Sequence, residues 1–252
     1  MSISSTARRH TLTISLFALA LLAAGGCATY VTPSAGISPS ALSDKNIEDL
    51  LQRKPAAPFP ARLAIARVAA ANYHSYTSQS YGRGNFSVVT TRDVEREEDF
   101  QRLAKLPMVL AIAPMNRIVI PGELKSDQEL RQGAAAVKAD LLLVYTLDTT
   151  FRVKDHDIGP LGAITLGFLP NQEARVTCTA SAAIYDVRTG YIYGLSEATA
   201  FENQIASAWT SSDAVDETRL KAERQAFEDL LGEFEKTWKT VVENYATKTT
   251  VK

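Results

Sequence analysis

Leu141-Leu142-Leu143-Val144-Tyr145-Thr146-Leu147-Asp148-Thr149-Thr150-Phe151-Arg152-Val153 is the stretch from which the fold is read. Its first four residues are apolar on both faces, the mark of a central strand covered on each side. Leu147, Thr149, Phe151 and Val153 then keep only one face apolar, so the strand is expected to outrun its helical cover. Ahead of it, Ser126-x-x-Glu129 forms a capping box before Leu130, Ala134 and Val137, which places a helix over residues 126–138. Behind it, residues 174–186 and 191–201 alternate around Val187-Arg188-Thr189-Gly190, a hairpin signature whose Gly supplies a positive φ.

Working outward, Leu63, Ile65 and Val68 among alanines read as a first strand. Residues 94–106 read as an amphipathic helix with Phe100 and Leu103 inward and a Glu98–Arg102 pair at i,i+4. Pro107 stops that helix before the apolar run 108–113, which has strand length. The chain closes with a helix over 216–245. Its Leu220, Phe227, Leu230, Leu231, Phe234, Trp238, Val241 and Val242 form one stripe, with Glu217–Lys221 and Glu235–Lys239 on the other face. A partner helix in a coiled coil would also use this stripe, but packing on the chain's own sheet needs fewer assumptions. The expectation is a single α/β layered domain over residues 61–246, a mixed sheet flanked by helices with a long C-terminal amphipathic helix, and a polar tail at 247–252.

Composition narrows the partners. With Lys+Arg 27, Asp+Glu 28 and a formal charge of −1, the 252-residue chain lacks the excess of basic residues that non-specific nucleic-acid binding uses. Two Cys exclude a disulfide scaffold.

The N-terminus carries an address. Arg8, Arg9 and His10 precede an apolar run at 12–22, then Ala23, Ala24, Gly25 and Gly26 precede Cys27. The run is too short for a permanent membrane span. Ala24-Gly25-Gly26-Cys27 resembles a bacterial lipobox, in which the Cys thiol is diacylated and the preceding peptide removed, so residues 1–26 are expected to be a lipoprotein signal peptide and Cys27 the lipidated mature N-terminus. An ordinary secretory signal cut near Ala28 is the alternative. Arg8-Arg9 alone does not complete a twin-arginine signal. Two or three acyl chains, each buried CH₂ contributing about 0.8 kcal/mol, make attachment effectively permanent. Ala28 after the lipid-bearing Cys, by resemblance to sorting in Gram-negative bacteria, points to the outer membrane with the domain in the periplasm. Residues 27–60, rich in Pro and Ser with one short helix at 43–53, are expected to be a tether reaching roughly 30 Å as a flexible coil.

The helix and strand at Leu130-Arg131 through Ala139-Asp140-Leu141-Leu142-Leu143-Val144-Tyr145, then Ile164-Thr165-Leu166-Gly167 and Asp186-Val187-Arg188-Thr189-Gly190-Tyr191-Ile192-Tyr193-Gly194, with Ala222-Glu223 and Ala226-Phe227, resemble the bacterial rhombotarget lipoproteins. More distantly, the Ala-Asp-Leu-Leu-Leu-Val strand and the strand closed by Asp-x-x-Thr-Gly are similar to the amino-terminal domain of TolB and to the curli secretion lipoprotein. The near resemblance implies a cell-envelope lipoprotein with no assigned biochemical activity. Rhombosortase substrates end in a Gly-Gly, apolar, basic tail, and Ala246 to Lys252 does not match it, so the chain is not expected to be such a substrate.

Candidate chemistry is sparse. Cys178 lies on the apolar face of an alternating strand and reads as a buried small hydrophobe rather than a nucleophile. Lys154-Asp155-His156-Asp157 reads as a solvated loop rather than a metal site. Gly194-Leu195-Ser196-Glu197-Ala198 lacks the strand-to-helix turn of a nucleophile elbow. Gly82-Arg83-Gly84-Asn85 reads as a turn, being too short for a phosphate loop. No catalytic residue, metal ligand or cofactor site is assigned. Two segments are contact candidates. One is the loop with Tyr73, Tyr76 and Tyr81, since Tyr offers contact area at low entropic cost, against the alternative of a floppy surface loop. The other is the uncharged stretch 158–170 with Leu161, Ile164, Leu166, Phe168 and Leu169, an apolar tip between two long strands, against the alternative that it folds over the core.

The functional expectation is a non-enzymatic interaction or accessory module of the cell envelope, held to the membrane by lipid on Cys27 and bound to an envelope protein. An oligomeric export or pore component and an envelope hydrolase are the alternatives, and a homo-oligomer is compatible with the first of these.

Overall fold

A computed structural model describes residues 36, 47–155, 172–206 and 212–246. The central strand of the opening stretch is β7, Leu141–Asp155, and it sits inside a seven-stranded sheet. The other strands are β1 (Ala61–Ala70), β2 (Ser80–Tyr81), β4 (Phe86–Val89), β5 (Val109–Pro114), β8 (Gln172–Asp186) and β9 (Ile192–Ala206). The order is β2-β4-β1-β7-β8-β9, with β5 on the same edge of β1 as β4. β1 runs parallel to β5 and β7, whereas β7, β8 and β9 form an antiparallel meander. Short β3 (Arg83–Gly84) and β6 (Glu123–Leu124) pair apart from it. The helices are α1 (Ile47–Gln52), α2 (Glu97–Ala104), α3 (Asp127–Ala136) and α4 (Ser212–Val241), the last continuing as a π-helical turn, Val242–Ala246. The fold is α/β with a mixed sheet and a long C-terminal helix.

Alternation along β7 decides which helix covers which face. Leu141, Leu143, Tyr145 and Leu147 point with Leu63 and Ile65 toward α2 and α4, where Phe100, Leu103, Phe227, Leu230, Leu231, Phe234 and Trp238 close the larger core. Leu142 and Val144 point with Ala64, Ala66 and Val68 to the other face, where Leu130 and Ala134 of α3 pack. Each of the fully buried Leu and Phe side chains contributes about 1.5–3 kcal/mol. The α4 stripe therefore packs on the chain's own sheet, and the Trp238 indole N–H donates to the Pro107 carbonyl at 2.8 Å.

Helix ends follow their caps. Ser126 caps α3, its hydroxyl accepting from the Gln128 amide while Glu129 accepts from the Ser126 amide. α2 begins at Glu97 rather than at 94, because Asp99 accepts the Arg96 amide at 2.7 Å and Val94 turns into the core. The expected Glu98–Arg102 and Glu235–Lys239 pairs are replaced by one across helices, Arg102 with Glu235. The Val187–Gly190 turn forms as read, with Gly190 at φ 71°.

The stretch expected to be tether reaches only part of the way to residue 60. The Ala56 and Ala57 amides donate to Oδ2 of buried Asp186 at 2.7 and 2.8 Å, and Arg53 donates to the Gly190 carbonyl at 3.1 Å. Phe59 packs edge-on against Tyr193 and near Trp238. Residues 53–60 thus belong to the domain, since a buried carboxylate at a hairpin end needs donors and this segment supplies them. Cys27 and the short helix's first residues, 43–46, lie outside the described residues.

Candidate functional site

The tyrosine loop is built over a buried charge network. Asp93 follows strand β4 and accepts from Thr77 and Ser78 at 2.9 and 2.8 Å, which fastens the loop's middle to the sheet. Arg67, the single charged residue facing inward from β1, reaches Asp93 at 2.8 Å, Glu95 at 3.4 Å and Glu223 at 3.7 Å. From α4, Arg219 holds Asp216 at 2.8 Å and Glu223 at 2.6 Å, and donates to Thr77 at 3.0 Å. Tyr145 donates to Glu95 at 2.6 Å and Thr149 to Glu223 at 2.8 Å.

The network explains its own charge states. Burial opposes the charge on Arg67, but Glu95, Glu223 and Asp93 outweigh it and raise its pKa well above the usual value. Burial likewise opposes ionisation of Asp93, yet Arg67 and the two hydroxyls hold its carboxyl below the ordinary value. Burial and then Glu95 push the Tyr145 phenol far up. The guanidinium and carboxylate groups are paired with one another, so the network's chemistry is to lock loop, sheet and α4 together. Oε2 of Glu95 and the Tyr73 hydroxyl are buried and unpartnered among the described residues.

This geometry sorts the expected contact residues. Tyr73 is 4% exposed and lies inside the loop, so it offers no surface; its ring fills a small cluster with Ala69 and Val89. Tyr76 is 57% exposed and remains a surface residue. Tyr81 is half-buried beneath the Arg117 guanidinium, 5.8 Å from the ring centre. Leu161, Ile164, Leu166, Phe168 and Leu169 lie outside the described residues, as do Cys27 and His156. Cys178 is buried, and burial followed by the nearby Glu223 charge pushes its thiol up to about 12. Ser196 sits in mid-strand and donates to Thr237 at 2.9 Å, which leaves no elbow. Gly84 takes φ 130° where β3 passes β6, closely enough that a side chain there would strike the Leu124 backbone.

A groove not singled out by the sequence lies on the sheet face that α3 covers only in part. It has about 240 Å³ and is walled by Val68, Val144, Thr146, Ser181, Ala183, Tyr185, Leu195 and Glu197. Beyond it the same face is open. Leu195 is 63% exposed, and Phe201, 53% exposed, carries the Arg175 guanidinium 3.9 Å above its ring. Ser181 donates to Glu197, and Thr179 bonds Thr199, across β8 and β9.

Comparison with known proteins adds little to this geometry. No family model matches the chain, and no curated protein matches it. Among solved structures, protein XCC0632 from Xanthomonas campestris, which carries the family label DUF330, is 12% identical, with a TM-score of 0.37 over 85% of this chain and 99% of its own. A hypothetical protein of Chlamydia trachomatis, CT253, is 11% identical, with a TM-score of 0.30 over 71% of this chain and 96% of its own. Likeness this slight assigns neither family nor function.

Proposed function

We propose that the chain is a lipoprotein of the outer membrane, anchored by acyl chains on Cys27, whose periplasmic domain acts as a non-enzymatic interaction module of the cell envelope. The observation that carries this reading is the order of the first 27 residues: basic pair, short apolar run, small residues, Cys. The resemblance to rhombotarget lipoproteins supports it. The domain's buried ionisable groups also support a binding role over a catalytic one, since Arg67, Arg219, Asp93 and Glu223 are engaged with each other rather than turned to a cleft. The contact candidates are Tyr76, the open β8–β9 face with Leu195 and Phe201, and the 158–170 segment.

The test is recovery of one reproducible envelope protein after crosslinking intact cells and extracting in mild detergent. A Leu195→Ser, Phe201→Ser variant should lose that partner and keep its fold. Specific hydrolysis of a cell-wall or lipid substrate by the purified domain would overturn the reading.

One observation favours a second reading, an oligomeric export or pore component. β7 and β8 pair over all fifteen residues from Leu141–Asp186 to Asp155–Gln172, a long pair of strands of the kind such a component needs. A ring-sized homo-oligomer in the same extraction would favour it.

A further inference from the structure

Strand β9 is a sheet edge without the usual guards. Among the described residues it pairs with β8 alone. Its fifteen residues, Ile192–Ala206, include no Pro, Lys or Arg, the residues that ordinarily blunt an edge against pairing. The other edges are protected: β2 is two residues long, and β5 has six and ends in Pro114.

Hydrogen bonds fix which backbone groups of β9 face outward. A residue of an antiparallel strand turns its N–H and C=O to the same side, and that side alternates along the strand. At the hairpin end the Asp186 amide donates to the Tyr191 carbonyl at 2.8 Å and the Asp186 carbonyl accepts from the Gly190 amide at 2.9 Å, so even positions of β8 face β9. Odd positions face β7, as the Thr177 carbonyl does in accepting from the Thr150 hydroxyl at 3.4 Å. The even positions of β8 pair with Gly194, Ser196, Ala198, Ala200 and Glu202. Leu195, Glu197, Thr199, Phe201 and Asn203 therefore present their N–H and C=O groups at the free edge. The Leu195 carbonyl accepts from the Thr237 hydroxyl of α4 at 3.3 Å and keeps a second lone pair. The side chains of these same five residues are exposed, whereas Ala198 and Ala200 between them pack with the α4 core.

This edge is complementary to itself. Leu195 and Phe201 lie at equal distances on either side of Ala198 and share one face. A two-fold axis through Ala198, perpendicular to the sheet, sets Leu195 against Phe201 of the second copy and Glu197 against its Thr199, each twice. Glu202 falls opposite Gly194, so no like charges meet. Every one of these Leu–Phe and Glu–Thr pairs joins two residues with outward backbone groups and exchanges two hydrogen bonds, about eight in all, against roughly ten in a typical specific interface. Centring the axis on Glu197 would oppose that carboxylate to itself, and centring it on Thr199 would face Leu195 with Asn203 and Phe201 with Glu197.

We propose that the chain pairs with a second copy of itself, β9 antiparallel to β9 about Ala198, which joins the two sheets into one. The open β8–β9 faces of the two copies then lie side by side as a single surface with two exposed apolar pairs covered.

Sedimentation of the purified full chain in mild detergent tests the pairing, and a closed dimer that dissociates on dilution is expected. Thr199→Glu sets like charges against each other twice and should weaken the dimer roughly tenfold. Adding Glu197→Lys should restore it, because positions 197 and 199 face each other across the two copies in this register alone. Thr199→Pro removes an outward N–H that β8 does not use, and should give a monomer with an unchanged circular-dichroism spectrum. A monomer at every concentration would overturn the proposal, as would a ring larger than a dimer. A dimer indifferent to Thr199→Glu and Thr199→Pro, or a loss that Glu197→Lys does not reverse, would also overturn it. A monomeric chain that still recovers an envelope protein after crosslinking would refute the pairing and leave the envelope-partner reading standing, whereas a dimer that recovers none would do the reverse.

Discussion

Oδ2 of Asp186 lies 2.8 Å from the Ala57 amide, joining the end of β8 to a residue 129 positions earlier. The same oxygen accepts from Ala56 and from the Tyr193 hydroxyl, while Oδ1 accepts from the Arg188 and Thr189 amides. One carboxylate therefore closes the hairpin turn and fastens the incoming chain. Asp186→Asn replaces an acceptor with a donor facing buried N–H groups, at a cost of about 2–4 kcal/mol. A fall in Tm of roughly 4–16 °C is expected, with faster proteolysis within residues 53–60.

Arg67 compensates three carboxylates inside the domain. Arg67→Leu strands Asp93 and Glu95 and should cost about 3–5 kcal/mol in urea unfolding. Adding Glu95→Gln should recover part of the loss, and the non-additivity measures the coupling. Two independent, additive losses would contradict the network as described.

Acid should loosen the tyrosine loop before it melts the sheet. The Asp93 carboxyl is held below its ordinary value of 3.8, so the folded state favours its ionised form. Its stabilisation is complete above the unfolded value, about 3.9, and is lost as pH falls through the depressed folded value. Urea midpoints should therefore be level from pH 7 to about 5 and drop below pH 4. Asp93→Asn should start lower and flatten that drop.

With its thiol pushed up to about 12, Cys178 is almost entirely protonated at pH 8. Iodoacetamide should leave it unmodified in the folded protein and label it fully in urea. Cys178→Ala is expected to cost less than about 1.5 kcal/mol, because the site behaves as a small apolar contact. Rapid labelling of the folded chain would contradict the burial.

Much of the fold is legible because periodicity and caps are local signals. The doubly apolar Leu141–Val144, the Ser126–Glu129 box and the Gly190 turn each declare themselves within a few residues. The α4 stripe was readable, but not the charged residues within it. Asp216, Arg219 and Glu223 are buried on that helix because Arg67, Thr77 and Thr149 meet them, and those partners lie 70 or more residues away. Arg67 in an otherwise apolar strand was the available hint. Tyr73 failed as a surface candidate for the same reason, since its loop folds inward onto Asp93. Residues 53–60 read as tether by composition, while their hydrogen bonds go to Asp186. The groove left no trace in sequence, because its walls come from four strands.

Lipidation of Cys27 is tested most directly by the intact mass of the protein isolated from its own membranes. The expected species begins at Cys27 and carries a diacylglyceryl thioether, and Cys27→Ser should abolish both the added mass and membrane recovery. A mature chain beginning after residue 27 with no lipid would contradict it.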